Sequence, residues 1–169
     1  AAYSNTTGVG ITAVGYLALY SNTIGTGNTA IGGQTPAVCN SALQFNTTGY
    51  WNTAVGSGSL AANTWGYRNT AVGLSSLGQN TTGGDNTAVG FQALLANAAS
   101  SNTAVGYQSL YANTTGTYNA AVGYQAGSSN TFGTANAFFG YVAGQSTTTA
   151  SDNRSEEHTS ELQSRETIS

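Results

Sequence analysis

The sequence predicts an all-β chain built as a parallel β-solenoid, a β-roll in which each coil is one copy of a short repeat. Three observations predict it: a recurring five-residue word, a fixed spacing between its copies, and a composition hostile to helices. The word is NTAVG, found at Asn52, Asn69, Asn86 and Asn102, with close variants starting at Ile11, Asn28, Asn119 and Asn136. The common step is the one from Asn52 to Asn69. It recurs from Ile11 to Asn28, Asn69 to Asn86, Asn102 to Asn119 and Asn119 to Asn136, whereas Asn28 to Asn52 is longer and Asn86 to Asn102 is one position shorter. A period of this size marks a solenoid, in which each unit is one coil that buries its core only by stacking on its neighbours. With 23 Gly and no Met, and with Asn, Thr and Val in every repeat, a helical bundle is improbable.

Each coil carries two short motifs. N-T-x-G starts at Asn5, Asn22, Asn46, Asn63, Asn80, Asn113 and Asn130, and is degenerate at Asn97; NTAVG follows six positions later, or five in the short coil. A leucine stands three positions before the first Asn at Leu19, Leu43, Leu60, Leu77, Leu94 and Leu110, and Gly127 breaks that series. The pattern predicts two short extended segments per coil, each closed by Asn and Gly. Because strand side chains alternate, Thr and Val of T-A-V-G share one face, and Ala and Gly the other. Branched side chains make the better filling, so the expected core ladder is Val14, Ile31, Val55, Val72, Val89, Val105, Val122 and Phe139. Asn28, Asn52, Asn69, Asn86, Asn102, Asn119 and Asn136 are expected at corners. There Asn tolerates a left-handed backbone and bonds along the stack. The glycine after Val suits a tight turn of positive φ.

The period has two local exceptions. The long step holds an insertion at about 33–42, including QTPAVCN with the only Pro and the only Cys. The short step loses one residue at NAASS. One cysteine, Cys39, excludes a disulfide framework within the chain; it reads as a small incidental residue, with a subunit crosslink as the alternative.

Charge is almost absent from the repeats. Only 5% of the chain is charged, against about a quarter in ordinary soluble domains. From Ala1 to Ser151 only Arg68 and Asp85 occur, and they cancel, so the net charge of -3 belongs to the last eighteen residues. A neutral rod offers no electrostatic footprint for nucleic acid. Nor does any window supply the roughly 18 apolar residues of a membrane helix, so no membrane insertion is expected of this segment.

The repeats, NTTGTYNAAVGYQAG for example, resemble the head repeats of trimeric autotransporter adhesins and the repeats of phage tail fibres. The resemblance spans roughly residues 4–153. It implies a left-handed roll, a homotrimer, an extracellular, cell-surface or virion-tail location, and a host-surface or matrix ligand of unspecified identity. The chain departs from that family in its longer period and in using Thr where the family prefers Ser-Val.

The chain divides into a repeat domain, residues 1–153, read as a fragment, and a tail, residues 154–169. RSEEHTSELQS matches the translation of a widely used sequencing adapter over eleven residues, and RETIS continues it. Asn153 falls one common step after Asn136, where the next NTAVG is due, so the tail interrupts a repeat. It is expected to be non-native and either disordered or a spurious short helix, and His158 with its neighbouring Glu residues is given no chemistry.

Without the tail no His remains, and the acids are Asp85 and Asp152. No catalytic, cofactor or metal residues are assigned, and the chain is read as a non-enzyme: a triad needs a base, and the glycines recur with the coil instead of forming one phosphate loop. The N-x-T sequons at Asn5, Asn46, Asn80 and Asn113 are explained by the repeat itself. Tyr16, Phe91, Tyr107, Tyr124 and Tyr141 follow the NTAVG glycine (Leu74 does so too), and form an expected surface stripe for subunit packing or, alternatively, for sugars.

Two functions compete. The first is a structural or adhesive segment of a cell-surface adhesin or tail fibre, a stiff rod displaying binding loops. The second is an ice-binding solenoid, since Thr6, Thr23, Thr47, Thr64, Thr81, Thr114 and Thr131 form one row and Thr12, Thr29, Thr53, Thr70, Thr87 and Thr103 another. An arrangement with Thr and Val outward and Ala and Gly inside ranks the ice-binding reading first.

Overall fold

A computed structural model describes residues 1–33 and 40–156. It is an all-β parallel solenoid in which each NTAVG word contributes one three-residue rung. The rungs are β1 (Thr12–Val14), β2 (Thr29–Ile31), β3 (Thr53–Val55), β4 (Thr70–Val72), β5 (Thr87–Val89), β6 (Thr103–Val105), β7 (Ala120–Val122), β8 (Ala137–Phe139) and β9 (Arg154–Glu156). They stack in chain order as one parallel sheet. Register is kept throughout: Thr53 pairs with Thr70, Ala54 with Ala71 and Val55 with Val72, even where the coil length changes, as between Ala88 and Ala104. At the usual strand spacing nine rungs extend about 40 Å.

Among the described residues each coil has one strand and not the two extended segments expected. The opposite side is a run of turns in which residues two apart adopt left-handed backbone, as at Gln92 (φ 53) and Leu94 (φ 52), or Gln108 (φ 51) and Leu110 (φ 47). These turns still stack as a ladder, Leu77 N donating to Ala93 O at 3.0 Å and Gln79 N to Leu95 O at 3.1 Å. Left-handed backbone costs about 1–2 kcal/mol for an L-residue. The cost is offset because it turns the repeating Leu of each turn inward: Leu19, Leu43, Leu60, Leu77, Leu94 and Leu110 are fully buried.

The expected core ladder is corrected. The alternation of faces holds, but the inward residue is Ala: Ala30, Ala54, Ala71, Ala88, Ala104 and Ala121 have no exposed surface. Val14 is 55% exposed and Phe139 47%. Ile31 and Val122 are also exposed, and Val55, Val72, Val89 and Val105 are half-buried. The reason is the width of the coil. Its cross-section already holds a Leu and two Asn side chains, and opposite the strand lie further small buried residues, such as Ser59, Ser76 and Ala93. Only a methyl group fits between. A second row of branched side chains would overpack the interior.

The breaks in the repeat compensate one another. Gly127 stands where a Leu is due, and Phe138 where an Ala is due, one coil later. Phe138 is fully buried. A Cβ on Gly127 would lie 2.5 Å from its ring, so the phenyl group fills the volume that the absent leucine vacates.

Two buried asparagine ladders run the length of the rod. In the first, Asn63 Nδ2 donates to Asn46 Oδ1 at 2.7 Å and to Gly66 O at 3.2 Å. In the second, Asn69 N and Nδ2 both donate to Asn52 Oδ1 at 3.1 Å, and Nδ2 also reaches Gly83 O at 2.8 Å. Asn28, Asn52, Asn69, Asn86, Asn102, Asn119 and Asn136 all take part, and all are essentially inaccessible, so they lie inside the corners. Burial of these amides is tolerated because nearly all their donors and acceptors find partners; the exceptions are Asn80 Oδ1, where the ladder breaks at the short coil, and Asn130 Oδ1.

The glycine that follows Val is required. At Gly73 φ is 128°, and a Cβ would lie 2.5 Å from Gly90 O of the next coil. Beyond Asn153, which still donates from N to Asn136 Oδ1 at 2.9 Å, Arg154–Glu156 pair with β8 as a ninth rung. At these three residues a strand stands where disorder or a helix was expected, and residues 157–169 lie outside the described residues. An open parallel edge accepts any backbone presented in register. Cys39 and His158 lie outside the described residues.

Candidate functional site

With Ala inside, the outward side of the sheet is a flat strip of two rows. One row is Thr12, Thr29, Thr53, Thr70, Thr87 and Thr103, continued by Ala120 and Ala137; the other is Val14, Ile31, Val55, Val72, Val89, Val105, Val122 and Phe139. Constant register keeps the rows straight. The other Thr row is engaged in holding coils together: Thr6, Thr23, Thr47, Thr64, Thr114 and Thr131 each donate from Oγ1 to the backbone oxygen of the Thr one coil on, at 2.9–3.2 Å.

One edge of the strip carries the expected aromatic stripe. Phe91, Tyr107, Tyr124 and Tyr141 form a continuous stack, with centroids 5.2, 5.0 and 5.3 Å apart and planes within 14°. Alongside runs a glutamine ladder, Gln108 Nε2 donating to Gln92 Oε1 at 2.9 Å and Gln125 Nε2 to Gln108 Oε1 at 3.0 Å. Tyr16 is exposed but stands apart, because Gly33 and Ser57 occupy the intervening rungs. Within the stack each ring face meets the next ring, so edges and hydroxyls are what it presents to solvent.

The other edge, just before the Asn of NTAVG, carries residues that sequence reasoning did not single out. Tyr50 stacks on Tyr67 at 5.4 Å, and Trp51 meets Tyr50 edge-on at 5.2 Å and 82°. Arg68 lies 5.0 Å from the Tyr67 ring centre. It is also bound to Asp85 in a two-point ion pair, Nε to Oδ1 at 2.8 Å and Nη2 to Oδ2 at 2.9 Å. The hydrogen bonds to Asp85 hold the guanidinium above its already high pKa. The signal was available in sequence: the repeat interior has only two charges, and they stand one common step apart, which places them on adjacent rungs.

Among the described residues no three His, Cys, Asp or Glu side chains come together, and no helix is long and apolar enough to cross a membrane. A shallow depression beside the inserted coil is lined by Asn40, Gly58, Ala61, Ser75 and Leu95.

Fold and surfaces define the class: a repeat protein of the β-solenoid type, with a flat Thr–Val strip between two aromatic edges. No protein-family model, curated protein or solved structure matches the chain.

Proposed function

We propose that the chain is a non-enzymatic structural or adhesive segment, in which copies associate along the Thr–Val strip to form a rigid extracellular rod or head. The observation that carries this reading is the outward apolar row from Val14 to Phe139. It runs along the uncharged strands β1 to β8 and leaves Val14, Ile31, Val122 and Phe139 exposed to water. Contiguous apolar surface of that kind marks an interface. The resemblance to adhesin heads and phage tail fibres supplies the stoichiometry, a homotrimer, and the handedness, left. The same resemblance places the native chain on a cell surface or virion tail. We assign residues 154–169 to a translated sequencing adapter, on their letter-by-letter match.

The ice-binding reading, second on sequence, is favoured by one specific observation: Thr and Val face outward and Ala inward, the arrangement expected to raise it to first place. Orientation says which side leaves the coil and not what covers it. Two features return the structural reading to the front. The Thr row loses its hydroxyls at Ala120 and Ala137, and the adjoining row ends in the bulky Phe139, which lifts the strip out of flatness. In the second Thr row six of seven hydroxyls donate their proton to the backbone of the next coil, which leaves them only as acceptors.

Light scattering coupled to size exclusion separates the two. The rod reading expects three times the chain mass, and a monomer at all concentrations removes it. Thermal hysteresis in the purified chain, abolished by Thr70→Tyr, would establish the ice-binding reading in its place.

A further inference from the structure

We infer that the edge formed by Tyr50, Trp51, Arg68 and Asp85 is a binding site for an uncharged saccharide. This deepens the adhesive reading and rests on it, by giving the rod a ligand class and a place to hold it.

The first observation is a contrast between two aromatic edges. In the Phe91–Tyr141 stack the inner rings, Tyr107 and Tyr124, have both faces covered by neighbouring rings, and the end rings have one. Trp51 belongs to no such stack. It stands at 82° to Tyr50, and its pyrrole edge at Cδ1 occupies the space where a side chain on Gly27 would go. Among the described residues no ring stacks on it, and it is 61% exposed. A free indole face in water is a platform for the C–H side of a pyranose, whose weakly positive hydrogens meet the negative face of the ring.

The second observation is polar. Gly27, Trp51, Arg68 and Asp85 occupy the same position on four consecutive coils, since each precedes the Asn of its NTAVG word. Backbone bonds fix the last three: Trp51 N to Thr26 O at 2.9 Å, Arg68 N to Tyr50 O and Asp85 N to Tyr67 O at 3.0 Å. The ion pair therefore stands one to two rungs from the indole. Held on two points and by the Tyr67 face, it keeps spare guanidinium N–H groups and carboxylate lone pairs in one fixed orientation. Adjacent hydroxyls of a sugar need that combination of donors and acceptors. The two charges cancel and the surrounding coils carry none, so the site attracts no polyanion.

The third observation is economy. A Trp, an Arg and an Asp at these rungs contribute nothing to the buried ladders, and other coils use the small Gly27, Ser101 and Ala135 or, in one case, Tyr118 at the same place. Departures from a repeat that the fold does not need mark the positions given to recognition.

The full chain is applied to an array of neutral oligosaccharides of glucose, galactose, mannose and N-acetylglucosamine, printed beside heparin. The best-retained neutral glycan is then titrated against tryptophan fluorescence. Trp51 and Trp65 are the only two tryptophans, so the Trp65→Phe variant reports on Trp51 alone. Expected are retention of at least one neutral glycan, a fluorescence change in Trp65→Phe, and a loss of about tenfold or more in affinity in Trp51→Ala. Asp85→Asn should weaken binding severalfold, while Tyr124→Ala, on the other edge, leaves it unchanged. Each variant changes an exposed or half-exposed side chain, and an unaltered thermal melt confirms its fold. Retention of no neutral glycan, of heparin alone, or of a glycan indifferent to Trp51→Ala overturns the inference. A chain that assembles but holds no glycan sinks this site and leaves the rod standing, whereas a monomer that binds through Trp51 does the reverse.

Discussion

At the scale of single residues, the repeat is most informative where it breaks. Leu at one position and Ala at another recur in coil after coil, and two of the exceptions, Gly127 and Phe138, touch in the core. This pairing makes a reciprocal prediction. Phe138→Ala should cost about 3–5 kcal/mol, because it leaves a phenyl-sized cavity against a glycine that cannot fill it. Adding Gly127→Leu should restore most of the loss by returning the coil to the common pattern, and Gly127→Leu alone should be destabilising through overlap with the ring. Chemical denaturation of the three variants measures all of this. Additive effects in the double variant would refute the pairing. The same two positions carried, in the sequence, the information that Ala and not Val faces inward: a missing Leu and an enlarged Ala one coil on compensate only if both are inside. Volume conservation between distant letters is hard to read without knowing which letters meet.

At the scale of one coil, the short unit shows what a period is for. Its missing residue lies in the N-T-x-G corner, and Asn97 Nδ2 bonds Ala99 O within its own turn at 2.7 Å. Asn80 Oδ1, which should receive that amide, is left buried with no partner. The ladder resumes above, where Asn113 Nδ2 donates to Asn97 Oδ1 at 2.8 Å. Inserting Thr after Ala98 together with Ala99→Gly rebuilds the common corner and gives Asn80 its donor. The expected gain is about 1–3 kcal/mol, the cost of a buried orphan acceptor, read as a higher melting midpoint; an unchanged midpoint means the acceptor is satisfied some other way. Asn153 shows the complementary case. It completes the ladder on Asn136, and the three residues after it continue the sheet although they share nothing with the repeat, since β-pairing is made by backbone.

At the scale of the whole molecule, the repeats carry no net charge, keep one register and are apolar along one strip. Val72→Glu tests what that strip does. The side chain points outward from β4, so the coil should fold with unchanged circular dichroism. If copies pack along the strip, a carboxylate at the centre of the contact is desolvated without a partner, and the assembly should fall apart to single chains in light scattering. An assembly indifferent to Val72→Glu would move the interface elsewhere.

The sequence by itself determined the solenoid, the rung of each word, the register and the two Asn rows, because these follow from a period and from the chemistry of Asn and Gly. It also determined that Thr and Val share a face. Only the tertiary structure decided which face that is. Alternation along a strand has no sign until the coil closes, and closure left room for a methyl group, a leucine and two amides. Tertiary structure likewise turned the second side of each coil into left-handed turns and brought Trp51, Arg68 and Asp85 onto neighbouring rungs, where stacking makes neighbours of residues a full coil apart in the chain.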